Sequence, residues 1–199
     1  NEKSIIVTGN TVIDALFLAL EKIKSNTGFE DNVIKTIESS VNNSKFSIVN
    51  SKFILVTGHR RENHGQGFIN ICTALREIAL RYQDIDIIYP VHLNPNVQKP
   101  VKALLSDIDN VYLIAPLQYE QFVYMIHKSY FIITDSGGVQ EEAPSLGKPV
   151  LVIRDTTERP EALDAGTVKL VGTDTDLIVK EAQQLLESES AYSAMSKAS

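Results

Sequence analysis

The residues best suited to chemistry fall in one run, Thr134-Asp135-Ser136-Gly137-Gly138-Val139-Gln140-Glu141-Glu142. An apolar stretch, Tyr130-Phe131-Ile132-Ile133, precedes it, and a helical pattern from Val139 to Leu146 follows. A buried strand that turns through two glycines into a helix start presents free backbone N–H groups. Those groups and the helix dipole together favour an anion. Ser136 adds a hydroxyl donor. Gly137 and Gly138 remove the side chains that would hold a phosphate away from the backbone. Glu142, just past the first turn, can accept hydrogen bonds from a sugar diol. The run reads as a nucleotide-phosphate cradle with a hydroxyl reader beside it.

Further polar loops follow other apolar runs. After Phe53-Ile54-Leu55-Val56 comes Thr57-Gly58-His59-Arg60-Arg61-Glu62-Asn63-His64-Gly65. Arginine offers a planar fork for phosphate, and histidine can donate to a phosphate oxygen or move a proton near neutral pH. An isolated Arg-Arg pair is usually a solvated surface feature. At the carboxyl end of a parallel strand, facing the Ser-Gly-Gly cradle, anion recognition is the better reading. In Pro90-Val91-His92-Leu93-Asn94-Pro95, His92 fits a ligand contact and a backbone-satisfied buried histidine equally well. Ala115-Pro116-Leu117 fits the wall of a base pocket or a plain turn. Arg154-Asp155-Thr156-Thr157-Glu158-Arg159-Pro160-Glu161 fits a phosphate clamp, or a capping box in which Thr157 opens a short helix with Pro160 near its start. Both can hold at once, because a helix start is itself an anion site.

These loops need a scaffold, and the apolar pattern supplies one. Six short runs, at 53–56, 85–89, 111–114, 131–133, 150–153 and 168–171, are near-continuous rather than alternating. That pattern suits a parallel sheet covered on both faces. Helical stripes lie between most of them: Phe68, Ile71, Leu75 and Ile78; Val97, Val101 and Leu105; Phe122, Met125 and Ile126; and finally Leu177, Ile178, Ala182 and Leu185. The expectation is a doubly wound, mostly parallel Rossmann-like α/β domain over 1–199, with its ligand outside the carboxyl ends of the strands. Within it, 1–24 reads as an opening strand and helix, with Asn10 or Thr11 as cap. Residues 25–51 read as a polar, partly helical connector, 52–187 as the main α/β repeat, and 188–199 as a truncated tail.

Composition narrows the function classes. The chain has 199 residues, 43% hydrophobic and 22% charged, which is ordinary for a globular domain. A net charge of −6 argues against a nucleic-acid partner. The one cysteine, Cys72, cannot form an intrachain disulfide, and a reducing, cytoplasmic setting fits. No apolar run reaches transmembrane length. CxxC and HExxH patterns are missing, so no metal is expected. No Walker loop and no GxGxxG fingerprint occur, which argues against ATP hydrolysis of that kind and against NAD; no cofactor is expected. Ser136-Gly137-Gly138 is not the GxSxG elbow of hydrolases.

Taken together, Val56 to Asn63, Pro90 to Pro95, Thr134 to Pro144 and Arg154 to Glu161 closely resemble the bacterial non-hydrolysing UDP-N-acetylglucosamine 2-epimerases. Thr8-Gly9-Asn10-Thr11-Val12-Ile13-Asp14-Ala15 resembles the start of that family's second domain. The resemblance implies a glycosyltransferase B-type architecture, two Rossmann-like domains around a cleft, of which this chain matches the carboxyl-terminal, UDP-binding half. The amino-terminal domain and the family's last segment would lie outside it, and the chain alone would be inactive. It further implies interconversion of UDP-N-acetylglucosamine and UDP-N-acetylmannosamine by elimination and re-addition of UDP, in the service of cell-surface polysaccharides. The intact enzyme would be a homodimer, with no membrane or nucleic-acid partner. By the same resemblance His59 is the catalytic group at the departing UDP, and Ser136, Gly137 and Gly138 hold the diphosphate. Glu142 reads the ribose. Arg60 and His92 match positions that touch a second substrate molecule in regulated members, and Arg159 matches a charged cleft position. Two other readings compete: a stand-alone UDP-binding or regulatory module, and a UDP-sugar glycosyltransferase or hydrolysing epimerase on the same scaffold.

Overall fold

The computed structural model describes residues 9–43 and 45–197. The expected opening strand before Gly9 lies outside the described residues. From Gly9 onward the order is α1 (Thr11–Lys24), α2 (Thr27–Val41), β1 (Phe53–Thr57), α3 (Gln66–Arg81), β2 (Asp86–Pro90), α4 (Pro95–Leu105), β3 (Val111–Ile114) and α5 (Tyr119–Lys128). Then come β4 (Phe131–Thr134), α6 (Val139–Ser145), β5 (Val150–Val152), α7 (Pro160–Asp164), β6 (Val168–Leu170), α8 (Thr175–Glu187) and α9 (Glu189–Lys197).

All six strands pair in parallel in the order β3-β2-β1-β4-β5-β6. Ile54 pairs with Ile87 on one side and Phe131 on the other, which puts β1 and β4 at the centre. Successive residues of β1 serve opposite cores. Ile54 and Val56 pack with Phe68, Leu75, Val101 and Ile178 from α3, α4 and α8. Phe53 and Leu55 pack with Ile37, Tyr124, Met125 and Ala143 from α2, α5 and α6. Two buried faces account for the unbroken apolar runs. Chain order reverses direction between β1 and β4, and such a switch point opens a crevice at the carboxyl ends of the strands.

The partly helical reading of residues 25–51 holds, but the segment contributes to the core and is not simply an exposed connector. Inside a polar sequence Val33, Ile37 and Val41 recur every four residues and bury one stripe of the 15-residue helix α2. Asn26 caps its start on the Phe29 N–H at 3.1 Å, and Asn42 ends it in the left-handed conformation, φ 53°. Phe46 and Ile48 then continue the core up to β1. Over its described part the 188–199 segment is the helix α9, packed back on the main domain. Tyr192 of α9 stacks on Tyr130 at 4.3 Å and donates its hydroxyl to the Tyr130 carbonyl at 2.9 Å.

Candidate functional site

The loops after β1 and β4 meet at the switch point. Beneath them the Thr57 and Thr134 hydroxyls lie 2.6 Å apart. Asp135 joins the two loops. It is completely buried, and its Oδ2 accepts the backbone N–H groups of His59 at 2.8 Å and Arg60 at 2.7 Å. Its other oxygen, Oδ1, has no hydrogen-bond partner, with the His59 Nδ1 nearest among basic groups at 3.3 Å. Gly58 has to be glycine for packing: a Cβ there would stand 2.9 Å from the Tyr89 hydroxyl, which donates to the Gly58 carbonyl.

The cradle has a more particular form than its sequence indicates. The Ser136 N–H is already taken, donating to the Thr134 hydroxyl at 2.9 Å. Among the described residues, the Gly137 and Gly138 amides donate to no acceptor, and the Ser136 hydroxyl is equally free. Neither glycine has a positive φ. A Cβ on Gly137 would meet nothing nearer than Arg60 Nη2 at 4.0 Å, and one on Gly138 nothing nearer than Glu142 Oε2 and Ser136 Oγ at 3.9 Å. Backbone strain and protein packing therefore do not require glycine at either position. The space above them is what the missing side chains preserve, and the Arg60 guanidinium borders it beside Gly137.

Glu142 borders that space. Its residue is only 8% exposed, and burial, then the neighbouring Glu141, raises its carboxyl above the ordinary range, against a lowering contribution from Tyr119. The Tyr119 hydroxyl approaches at 3.5 Å, a long contact. A buried carboxylate with so little support has acceptor capacity left for a ligand hydroxyl. On the opposite side His59 is exposed and its ring stacks on His92 at 5.6 Å. His92 is exposed too, its Nδ1 accepting the Asn94 N–H at 3.1 Å, so the buried-histidine alternative is ruled out.

The loop after β5 departs from its expected role. Arg154 is 5% exposed and fully engaged: Nε meets Glu62 at 2.6 Å, and the two terminal nitrogens grip Glu158 at 2.7 and 3.0 Å. Arg159, expected in the cleft, binds Glu141 through Nε and the Glu158 carbonyl through Nη1. Glu141 in turn holds Asn10 at 2.7 Å, which ties the start of α1 to α6. A cleft of about 500 Å³ on that flank, lined by Asn10, Ile13, Gln140, Glu141 and Arg159, thus has its Asn10, Glu141 and Arg159 side chains already paired to each other. Thr157 does not cap α7. Its hydroxyl accepts the Arg159 N–H at 3.0 Å and contacts Gln140, whose Nε2 braces the Ser136 carbonyl at 3.2 Å.

Ser136, Gly137, Gly138, Glu142, His59, Arg60 and His92 thus converge on one crest, while Arg159 lies aside in an ion pair. Sequence reasoning gave Asp135 no role. A carboxylate directly after a buried strand was the available signal, but the amides it binds lie 75 and 76 residues away.

Comparison with known proteins gives the chain a family. The family model described as UDP-N-acetylglucosamine 2-epimerase matches residues 1–199. The chain belongs to the UDP-N-acetylglucosamine 2-epimerase family. It is 61% identical to the Campylobacter jejuni 2-epimerase over 100% of the chain and 51% of that relative. It is 53% identical to the Escherichia coli K12 enzyme over 99% of the chain and 50% of that relative. The chain therefore spans about half the length of the curated relatives it matches. Among solved structures, the Neisseria meningitidis epimerase bound to UDP-GlcNAc superposes with a TM-score of 0.86 at 52% identity, over 100% of this chain and 52% of that one. The S. aureus MnaA–UDP co-structure gives 0.83 at 41% identity, over 99% and 50%. The C-terminal domain of a Francisella tularensis group 1 glycosyl transferase shares the fold, with a TM-score of 0.58 at 13% identity over 74% of this chain and 81% of that one. This epimerase-family chain has no helix, among its described residues, long and apolar enough to cross a membrane.

Proposed function

We propose that this chain is the UDP-binding half of a non-hydrolysing UDP-N-acetylglucosamine 2-epimerase. The observation that carries the proposal is the pair of amides at Gly137 and Gly138, which donate to no acceptor among the described residues and lie under a space that no described side chain fills. The diphosphate lies over them, with the Ser136 hydroxyl and the Arg60 guanidinium as further donors. Glu142 accepts from the ribose diol. Relatives solved with UDP-GlcNAc and with UDP support this choice of ligand.

In the complete enzyme the C1–O bond of UDP-N-acetylglucosamine breaks and UDP departs with the electron pair, while the C2 proton is removed. A glycal remains. Return of a proton to the other face of C2 and re-addition of UDP give UDP-N-acetylmannosamine. His59 stands where charge grows on the departing oxygen, and a donor there stabilises the transition state. The carboxylates that move the C2 proton belong to a facing domain, and closure of the two excludes water from the glycal. The enzyme works in the cytoplasm as a homodimer, without a metal or cofactor. Arg60 and His92 border the place for a second, regulatory substrate molecule.

The test is product analysis on the full-length enzyme. UDP-N-acetylmannosamine is expected, and His59→Ala should lower turnover by roughly 10²–10³-fold. Free N-acetylmannosamine as the main product, or near-normal turnover of the variant, would reject the reading.

A further inference from the structure

We infer that Asp135 is a positioning residue that fixes the proton of His59 on Nδ1 and leaves Nε2 as the nitrogen that faces the ligand. The inference rests on the proposed role of His59.

The argument starts from an incomplete carboxylate. Asp135 is wholly inside the protein, and such a group normally has all its oxygens supplied with donors. Oδ2 is supplied twice, by the His59 and Arg60 amides. Those two bonds would suffice if the residue served only to tie the loops together. Oδ1 has no hydrogen-bond partner, and an unpaired buried acceptor is costly. His59 Nδ1 lies 3.3 Å from it, within reach but outside hydrogen-bond geometry, so the imidazole has to turn to close the bond. The same backbone bond that anchors the His59 N–H to Oδ2 holds the ring's near edge at Oδ1.

Chemistry follows from which nitrogen carries hydrogen. A carboxylate can only accept, so the nitrogen facing Oδ1 must be the protonated one. In the neutral ring Nε2 is then bare and ready to take up a proton. In the protonated ring the Nε2 hydrogen points outward, away from the carboxylate. His59 is thereby set to carry a proton to and from a phosphate oxygen rather than to act as a fixed neutral donor. The orientation of a catalytic imidazole by a carboxylate is a known device in other enzymes.

The experiment reads the tautomer directly. The chain has four histidines, so ¹⁵N-histidine labelling gives a short list of imidazole signals. At alkaline pH the His59 ring of the unaltered chain should show the Nδ1-protonated pattern, a result that needs no variant to fold. Finding the Nε2-protonated form there would overturn the inference. In Asp135→Asn the amide oxygen can keep both backbone bonds while its NH₂ faces the ring, so the tautomer should invert with the amide spectrum otherwise preserved. An unchanged His59 pattern in a folded variant would also overturn it. In the full-length enzyme, Asp135→Asn should lower kcat by roughly 10²–10⁴-fold, with KM changed only a few-fold. A KM effect alone would reduce Asp135 to a loop tie. Should the full-length enzyme not epimerise at all, the function proposed above fails while the tautomer result stands by itself.

Discussion

The loops after β4 and β5 are neighbours, end on adjacent parallel strands, and both carry polar residues that suit a phosphate. They have opposite fates. In the β5 loop every arginine has found a carboxylate: Arg154 holds Glu62 and Glu158, and Arg159 holds Glu141. In the β4 loop the glycine amides and the serine hydroxyl have no partner among the described residues, and one oxygen of Asp135 has none. Charge density alone would have ranked the β5 loop first. Unengaged donors at the carboxyl ends of the strands are a better pointer to a ligand than charge density, because a side chain already paired within the protein has no bond to offer.

The contrast predicts that changes in the β5 loop act on stability and changes in the β4 loop act on binding. The largest effect is expected from Arg154→Ala, which removes three charge-assisted bonds and a packed stem. A loss of about 1.5–3 kcal/mol in denaturant unfolding is expected, with UDP affinity per folded molecule kept. Loss of affinity without loss of stability would place Arg154 in the site and erase the contrast. Next, Gly138→Val should weaken UDP binding to the full-length enzyme at least ~10-fold, about 1.4 kcal/mol, while the melting temperature stays within roughly 2 °C. Calorimetry showing unchanged affinity would mean that the space above the glycines is not used.

The smallest effect tests Glu142. Burial raises its folded pKa, so the unfolded chain gives up the proton at the lower pH. Ionisation above that point favours the unfolded state, and the group costs stability as pH rises through the ordinary value of 4.5 towards its folded value. Glu142→Gln should therefore raise the melting temperature of the ligand-free chain by roughly a few degrees at pH 8. The gain should vanish below pH 4.5, and UDP should bind several-fold more weakly. A variant less stable at pH 8 would show that the carboxylate is supported in the free protein after all.

Most of the architecture was legible because apolar runs and stripes are local signals. Each of the six strands, and the helices α3, α4, α5, α6 and α8, lies where its run or stripe predicts. The 25–51 segment reads as no more than partly helical because three apolar residues spaced by four are a thin stripe in a segment rich in Asn, Ser and Lys. The crest was legible as residue types at strand ends, and the family resemblance gave those residues roles. Pairing was not legible. Nothing near Arg154 announces that Glu62, 92 residues earlier, will occupy it. The free and the engaged arginines look alike until the sheet brings distant loops together.

The hydroxyl contact between Thr57 and Thr134, with the Asp135 bonds above it, ties the two halves of the crest together within the chain itself. Ordering of these loops is accomplished when the sheet assembles, so in the binding role proposed above this part of the surface would act as a rigid jaw. Differences in grip between one nucleotide and another should then arise from what each touches on the jaw, and from whatever closes against it, with little owed to rearrangement of the jaw itself.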